Sequence, residues 1–219
     1  LGGDPVMSVT EPSLITRVVT SGTFTLDGGT WEVDNNVWLV GDSREVMVID
    51  AAHDAGTIAD AIGERRVTAI VCTHGHNDHI NAAPELADRF GAPILLNPAD
   101  APLWGMTHPD RVPDQDLRDG DVLTVAGIEV HALATPGHSP GSTCLYAPEL
   151  KTVFTGDTLF HGGPGATGRS FSSFEDIIAS IRERLLTLPP ETVVRTGHGE
   201  DTTIGEEAPH LDEWIARGY

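Results

Sequence analysis

Val67-Thr68-Ala69-Ile70-Val71-Cys72-Thr73-His74-Gly75-His76-Asn77-Asp78-His79 joins an apolar, β-branched run to four metal-ligating side chains within six residues. The run reads as a strand, so the ligands fall at its C-terminal end. His74 and His76 are two apart, and in extended backbone both imidazoles leave on the same side. Asp78 and His79 follow where the chain turns toward a helix, so the four ligands can be divided between two adjacent metals. A single histidine in a soluble protein is usually a surface or hydrogen-bonded residue. Four such groups directly after a strand are better explained as a metal site.

Working outward, residues 23–50 carry strand signals at Thr23–Leu26, Asn36–Val40 and Val46–Ile49, separated by Asp27-Gly28-Gly29 and Gly41-Asp42-Ser43. This predicts an antiparallel meander ending at Asp50. Ile58, Ala61, Ile62 and Arg65 recur at helical spacing over Ala55–Arg65. Beyond the ligands, Asn81 is positioned to cap a helix that runs to Phe90 and ends at Gly91, with Pro84 in its first turn. Pro93–Leu96 reads as a short strand. The Pro- and Asp-rich segment Asn97–Gly120 reads as a long surface excursion with a helical turn near Ala99–Leu103.

The second half repeats the plan. A hairpin about Ala126-Gly127 pairs Asp121–Val125 with Ile128–Leu133 and leads to Thr135-Pro136-Gly137-His138-Ser139-Pro140-Gly141. Thr143–Tyr146 and Lys151–Phe154 form another hairpin that delivers Thr155-Gly156-Asp157. A Gly-rich loop, His161–Gly168, precedes a capping pattern at Ser173–Asp176 and an apolar stripe of Ile177, Ile181, Leu185 and Leu188. Thr192–Arg195 reads as a strand followed by Thr196-Gly197-His198-Gly199, and a short helix is expected around His210–Ala216. Strand, glycine-containing loop and ligand therefore recur at His74/His76/Asp78/His79, at His138, at Asp157 and at His198. Four loops converge on one edge.

With 219 residues the chain is long enough for a sizeable core and is read as one domain over residues 7–219. Residues 1–6 are read as a remnant ahead of a native start at Met7. A net charge of −20 argues against nucleic acid as a partner, because such binding needs a basic face. With no apolar run near 18 residues and no basic-then-apolar leader, neither a membrane span nor a secretory signal is visible, and a cytoplasmic location is expected. Cys72 and Cys144 sit in strand-like segments and suit buried free thiols. The oligomeric state is not legible.

The ligand order, HxHxDH followed by a later His, an Asp and a final His, resembles that of the metallo-β-lactamase superfamily, and the resemblance covers nearly the whole chain. It implies an α/β fold, an αββα sandwich of two mixed sheets flanked by helices. Thr135–Cys144, Phe154–Phe160 and Gly197-His198-Gly199 with Thr202–Glu206 are similar to glyoxalase II and its short bacterial relatives. The resemblance implies one metal on His74, His76 and His138, a second on Asp78, His79 and His198, and Asp157 bridging them. Three imidazoles suit a tetrahedral zinc with an open position, while the added carboxylates also admit iron or manganese. Asp50 resembles the family's supporting Asp that holds loop backbone, and it equally suits a residue capping the approach to the next helix.

The implied activity is metal-dependent hydrolysis of a small-molecule thiol ester, since metal coordination brings the pKa of water from 15.7 to about 7. Asp78 is the candidate for orienting the nucleophile. Two departures from glyoxalase II stand out: the chain ends 21 residues after His198, without the helical domain that supplies much of the glutathione site, and the loop Phe160–Arg169 is longer. Arg169 and, less directly, His161 are then the substrate-binding candidates. Lys151 is the only lysine among 13 basic residues, a composition that points to a high-GC genome and a thiol such as mycothiol in place of glutathione. The rival readings are a mononuclear iron persulfide dioxygenase using His74, His138 and Asp157, and a non-enzymatic metal-binding module. A β-lactamase is disfavoured because Asp157 stands where many such enzymes place a cysteine.

Overall fold

The computed structural model describes residues 14–219; the expectations for residues 1–6 and Met7 lie outside them. Two six-stranded sheets face one another. The first comprises β1 (Ile15–Leu26), β2 (Gly29–Gly41), β3 (Glu45–Ile49), β4 (Arg66–Val71), β5 (Ile94–Leu96) and β6 (Gln115–Asp116), in that spatial order. The β1–β2–β3 meander is antiparallel, and β3 through β6 are parallel. The second is built from β7 (Val122–Val125), β8 (Ile128–Ala134), β9 (Thr143–Ala147), β10 (Thr152–Gly156), β13 (Val193–Thr196) and β14 (Thr202–Thr203). Only the β10–β13 pair is parallel there. A small ribbon, β11 (Leu159–Phe160) with β12 (Gly163–Pro164), follows β10.

The period-2 alternation of the strands sorts their side chains into layers. Val37 and Leu39, Val46 and Val48, and Ile70 point outward, under helices α1 (Ala55–Ile62) and α3 (Ala83–Phe90), where they meet Ile58, Ile62 and Leu86. Their neighbours Trp38, Val40, Met47, Ile49 and Val71 point inward and meet Val130, Ala132, Leu145 and Phe154 of the second sheet. Outside the second sheet, Cys144, Val153 and Val194 pack on Ile177, Ile181, Leu185 and Trp214. Those four come from α5 (Phe174–Ser180), the π-helical turn that continues it over Ile181–Leu185, and the last helix, α7 (Leu211–Arg217). This is the expected αββα sandwich. Each fully buried apolar side chain contributes about 1.5–3 kcal/mol.

Several local expectations are corrected. β1 and β2 extend well beyond Thr23–Leu26 and Asn36–Val40, pairing from Ile15↔Val40 to Leu26↔Gly29. Their two-residue turn places Asp27 and Gly28 both at positive φ, the geometry that matches strand twist. Helix α1 stops at Ile62, because Gly63 enters the left-handed region, and Arg65 instead donates to the Ala61 and Ile62 carbonyls. Ala82 rather than Asn81 begins α3; the Asn81 carboxamide is engaged by the backbone of His53. Asn97–Gly120 is not a mere surface excursion: it holds α4 (Ala101–Thr107) and buries Asp100, Leu103, Trp104 and Leu117. The remaining helices are α2 (Asn77–Ile80), within the ligand motif, and α6 (Ile204–Glu207).

β4, β10 and β13 run so that their C-terminal ends share one edge of the sandwich with the end of β8. That edge carries all four ligand loops.

Candidate metal centre

His74, His76 and His138 each offer a ring nitrogen, and these atoms lie within 4.8 Å of one another; Asp78, His79 and His198 form a second group by the same measure. His76 Nδ1 is 3.0 Å from His138 Nε2. Asp157 joins the groups. Its Oδ2 lies 3.4 Å from His138 Nε2, 3.8 Å from His74 Nε2, 3.2 Å from His79 Nε2 and 3.4 Å from His198 Nε2. Ligand atoms about 2.0–2.1 Å from a tetrahedral zinc stand roughly 3.3 Å apart, so these spacings fit an ion in each group.

The far nitrogens fix the rings. His79 Nδ1 donates to Asp50 Oδ2 at 2.8 Å, His138 Nδ1 to the Ala166 carbonyl at 2.8 Å, and His198 Nδ1 to the Asp34 carbonyl at 2.7 Å. His74 Nδ1 donates to Thr73 Oγ1 at 3.0 Å, and that hydroxyl donates in turn to Asp50 at 2.7 Å. Each bond places the proton on Nδ1 and leaves Nε2 with a lone pair facing the centre, as metal-bound imidazoles require. His74 Nε2, Asp78 Oδ1 and Asp157 Oδ1 are buried without a hydrogen-bond partner among the described residues. Such atoms are costly unless a cation satisfies them.

Asp50 stands at φ +58°, a left-handed conformation uncommon outside glycine, and this turn aims its carboxylate back at the loop. It accepts the Thr73 amide at 2.7 Å as well as the Thr73 hydroxyl and His79. The cap of α1 is Asp54, not Asp50. Gly197 lies so close to the centre that a Cβ there would meet Asp157 Oδ1 at 2.4 Å and His79 at 2.8 Å.

Charge and burial divide the imidazoles. Burial drives His74 far below its ordinary pKa and lowers His76 to about 3, which favours the neutral imidazoles that a metal needs. Burial opposes the charged forms of His79 and His198 too, yet the Asp157 and Asp78 carboxylates outweigh it, raising His79 and bringing His198 to about 10. A bound cation would take the place of those protons. Asp78 and Asp157 are held well below the usual carboxylate range, burial notwithstanding, by His79 and His198.

The centre opens into a cavity of ≈ 410 Å³ walled by Phe24, Trp31, Val33 and Phe160. Arg169 reaches this cavity, its guanidinium 4.5 Å from the Trp31 ring centroid and 5.2 Å from that of Phe24. His161 does not: it is exposed and lines a separate depression with Glu207, His210 and Trp214. Three polar residues near the centre escaped the sequence reading. Asn35 donates to the Asp78 carbonyl at 2.8 Å and to its carboxylate at 3.1 Å, His53 bonds Asn35, and Asp100 is buried behind the ligand loops. Only Asn35, preceding an apolar strand run, carried any local signal, that of a polar residue in a strand destined for burial.

Residues 30–198 match the model of the metallo-beta-lactamase superfamily. The chain belongs to that superfamily. Superfamily members are mostly metal-dependent hydrolases, and this chain carries His/Asp clusters able to hold metal on the shared fold. It is 34% identical to hydroxyacylglutathione hydrolase GloC of Haemophilus influenzae over 181 residues, covering 76% of this chain and 85% of that protein. Among solved structures, it superposes on the BLEG-1 B3 metallo-beta-lactamase with a TM-score of 0.74 at 28% identity, covering 88% of this chain and 98% of the other. TTHA1623 in a di-iron-bound form gives a TM-score of 0.72 at 33% identity, covering 80% and 93%. Among the described residues, no helix is long and apolar enough to cross a membrane.

Proposed function

We propose that this superfamily member is a dinuclear hydrolase that cleaves a thioester of a low-molecular-weight thiol, glutathione-like or mycothiol, in the cytoplasm. The observation that carries the reading is Asp157 Oδ2, which lies within 3.8 Å of ligand nitrogens from both groups and so gives a second ion a full set of side chains. The likeness to GloC supports the thiol ester. His74, His76 and His138 would hold one divalent ion, Asp78, His79 and His198 the other, with zinc as the first candidate and iron or manganese as alternatives. When bound, the ions acidify water and polarise a carbonyl oxygen.

The chain's own residues supply the rest. Asp78 turns Oδ2 toward His79 and His198, 3.3 and 3.2 Å away, and keeps Oδ1 unpartnered. Held in this way, the Asp78 carboxylate is the candidate for orienting the attacking water. Asn35 holds the same carboxylate from behind. Phe24, Trp31 and Phe160 give the cavity an apolar wall, and Arg169 offers a fork for a carboxylate on the thiol arm. Outside the ligand set, the titratable side chains lining the cavity are Asp34 and Arg169. A thiolate leaves without a strong acid, because thiol pKa values are about 8.5.

Metal analysis with an activity panel tests the reading. Cleavage of glutathione or mycothiol esters by protein holding two ions per chain is expected. Oxygen uptake on a thiol persulfide with one iron per chain, or turnover of a β-lactam in place of thioesters, would overturn it.

A further inference from the structure

Asp100 lies at the start of α4 and is 0% exposed, and its carboxylate hydrogen-bonds no basic side chain and no proposed ligand among the described residues. Its carboxylate instead gathers three neutral donors from two loops. Oδ2 accepts the Gly75 amide at 2.8 Å and the Ser139 hydroxyl at 2.6 Å; Oδ1 accepts the Gly141 amide at 2.6 Å. Gly75 sits between His74 and His76, and Ser139 follows His138. The bases of these loops are already joined by the Thr143 amide on the Thr73 carbonyl at 2.8 Å. Asp100 joins them further out, beside the ligands.

We infer that Asp100 is a positioning residue that sets the spacing of His74 and His76 against His138, and so tunes the affinity of that ion while leaving the Asp78, His79 and His198 group alone. The chemistry requires a carboxylate. Three donors converge, and only an acceptor-only side chain satisfies them all; asparagine would turn an NH₂ toward an amide N–H or a hydroxyl. The approach also requires glycine, because a Cβ at Gly141 would meet Asp100 Oδ1 at 2.8 Å and one at Gly75 would meet the Asp100 carbonyl at 3.0 Å. Burying an ionised group among neutral donors is costly when its own helix end needs nothing from it, which marks the arrangement as serving the loops.

The inference rests on the metal centre but not on the identity of the substrate. Cobalt(II)-loaded protein, stripped stepwise with a competing chelator, tests it. His198→Ala and His138→Ala supply reference absorption spectra for the first and second groups alone. In Asp100→Asn the first-group spectrum is expected to vanish at roughly ten- to a hundred-fold lower chelator concentration, with the second unchanged. Ser139→Ala, which removes one of the three donors, shifts the same spectrum in the same direction by less, and decides the matter should Asp100→Asn not fold. Equal weakening of both groups, or of neither, overturns the inference. Wild-type protein without two distinct cobalt spectra overturns the metal-centre reading along with it; wild-type protein with both spectra, alongside unaltered variants, overturns the role of Asp100 alone.

Discussion

The Arg169 guanidinium lies over the Trp31 ring, 4.5 Å from its centroid, so the loop after Asp157 meets the tip of the β1–β2 hairpin across the mouth of the cavity. Ser170 reinforces the meeting by donating its amide to Asp27 at 3.1 Å. A cation on an aromatic face is held in place while its N–H fork remains available to an anion.

Arg169→Ala is therefore expected to raise KM with kcat little changed, as when binding remote from the reacting carbon is lost. A charge-assisted contact of ~1.5–3 kcal/mol corresponds to a loss of roughly ten- to a hundred-fold in kcat/KM. Steady-state kinetics on a natural thiol ester and on one truncated at its charged end check this. Equal impairment of both substrates, or of neither, would refute it.

Elemental analysis should find nearly two metals per chain. Asp157→Ala should lower occupancy in both groups together, because its Oδ2 faces both, whereas His198→Ala should mainly empty the second. A stoichiometry fixed at one after reconstitution with excess zinc, iron or manganese contradicts the dinuclear reading.

Thioesters should be preferred over amides of the same acyl group by on the order of 10²–10⁴ in kcat/KM, the usual contribution of a general acid that an amine leaving group needs and a thiolate does not. His161, exposed and away from the cavity, supplies no such acid, so His161→Ala should leave both rates unchanged. Comparable rates on matched substrates would show that a proton donor is present after all.

Asn77 lies inside the ligand motif, yet its side chain serves the hairpin, donating to the Thr23 carbonyl at 2.8 Å and accepting from the Thr25 amide at 2.8 Å. Asn77→Ala removes two hydrogen bonds worth about 0.5–1.5 kcal/mol each. Faster amide exchange over residues 23–31 and a raised KM are expected, with metal content intact. Loss of metal without faster exchange would assign Asn77 to the centre instead.

The seven candidate ligands that the fold brings together were legible because each follows a strand within a few residues of a glycine, and because four fall inside one motif. The layers were legible for a related reason: alternation along Val37–Val40 and Val46–Ile49 sends neighbours to opposite faces. Asp100 and His53 were not. Their roles arise from contacts across 25 to 41 residues of chain, or 18 for His53 with Asn35, and nothing adjacent in sequence signals them. Element ends erred where a side chain found a distant partner, as Asn81 did with His53, or where glycine took a positive φ, as at Gly63. Arg169 and, less directly, His161 were candidates eight residues apart in one loop. The turn at the β11–β12 ribbon separates them, leaving His161 on the outer surface while Arg169 returns to the cavity.

Cys72 and Cys144 are both fully buried, and burial raises both thiols, Cys144 to about 11. The thiolate is the form that exchanges with disulfides, and neither side chain offers it to solvent. On the proposed function a free thiol is liberated at every turnover, and the enzyme works amid that product and whatever disulfide it becomes. With neither thiol accessible, this protein gives them nothing to conjugate, and the proposed activity should be indifferent to the redox state of that thiol pool.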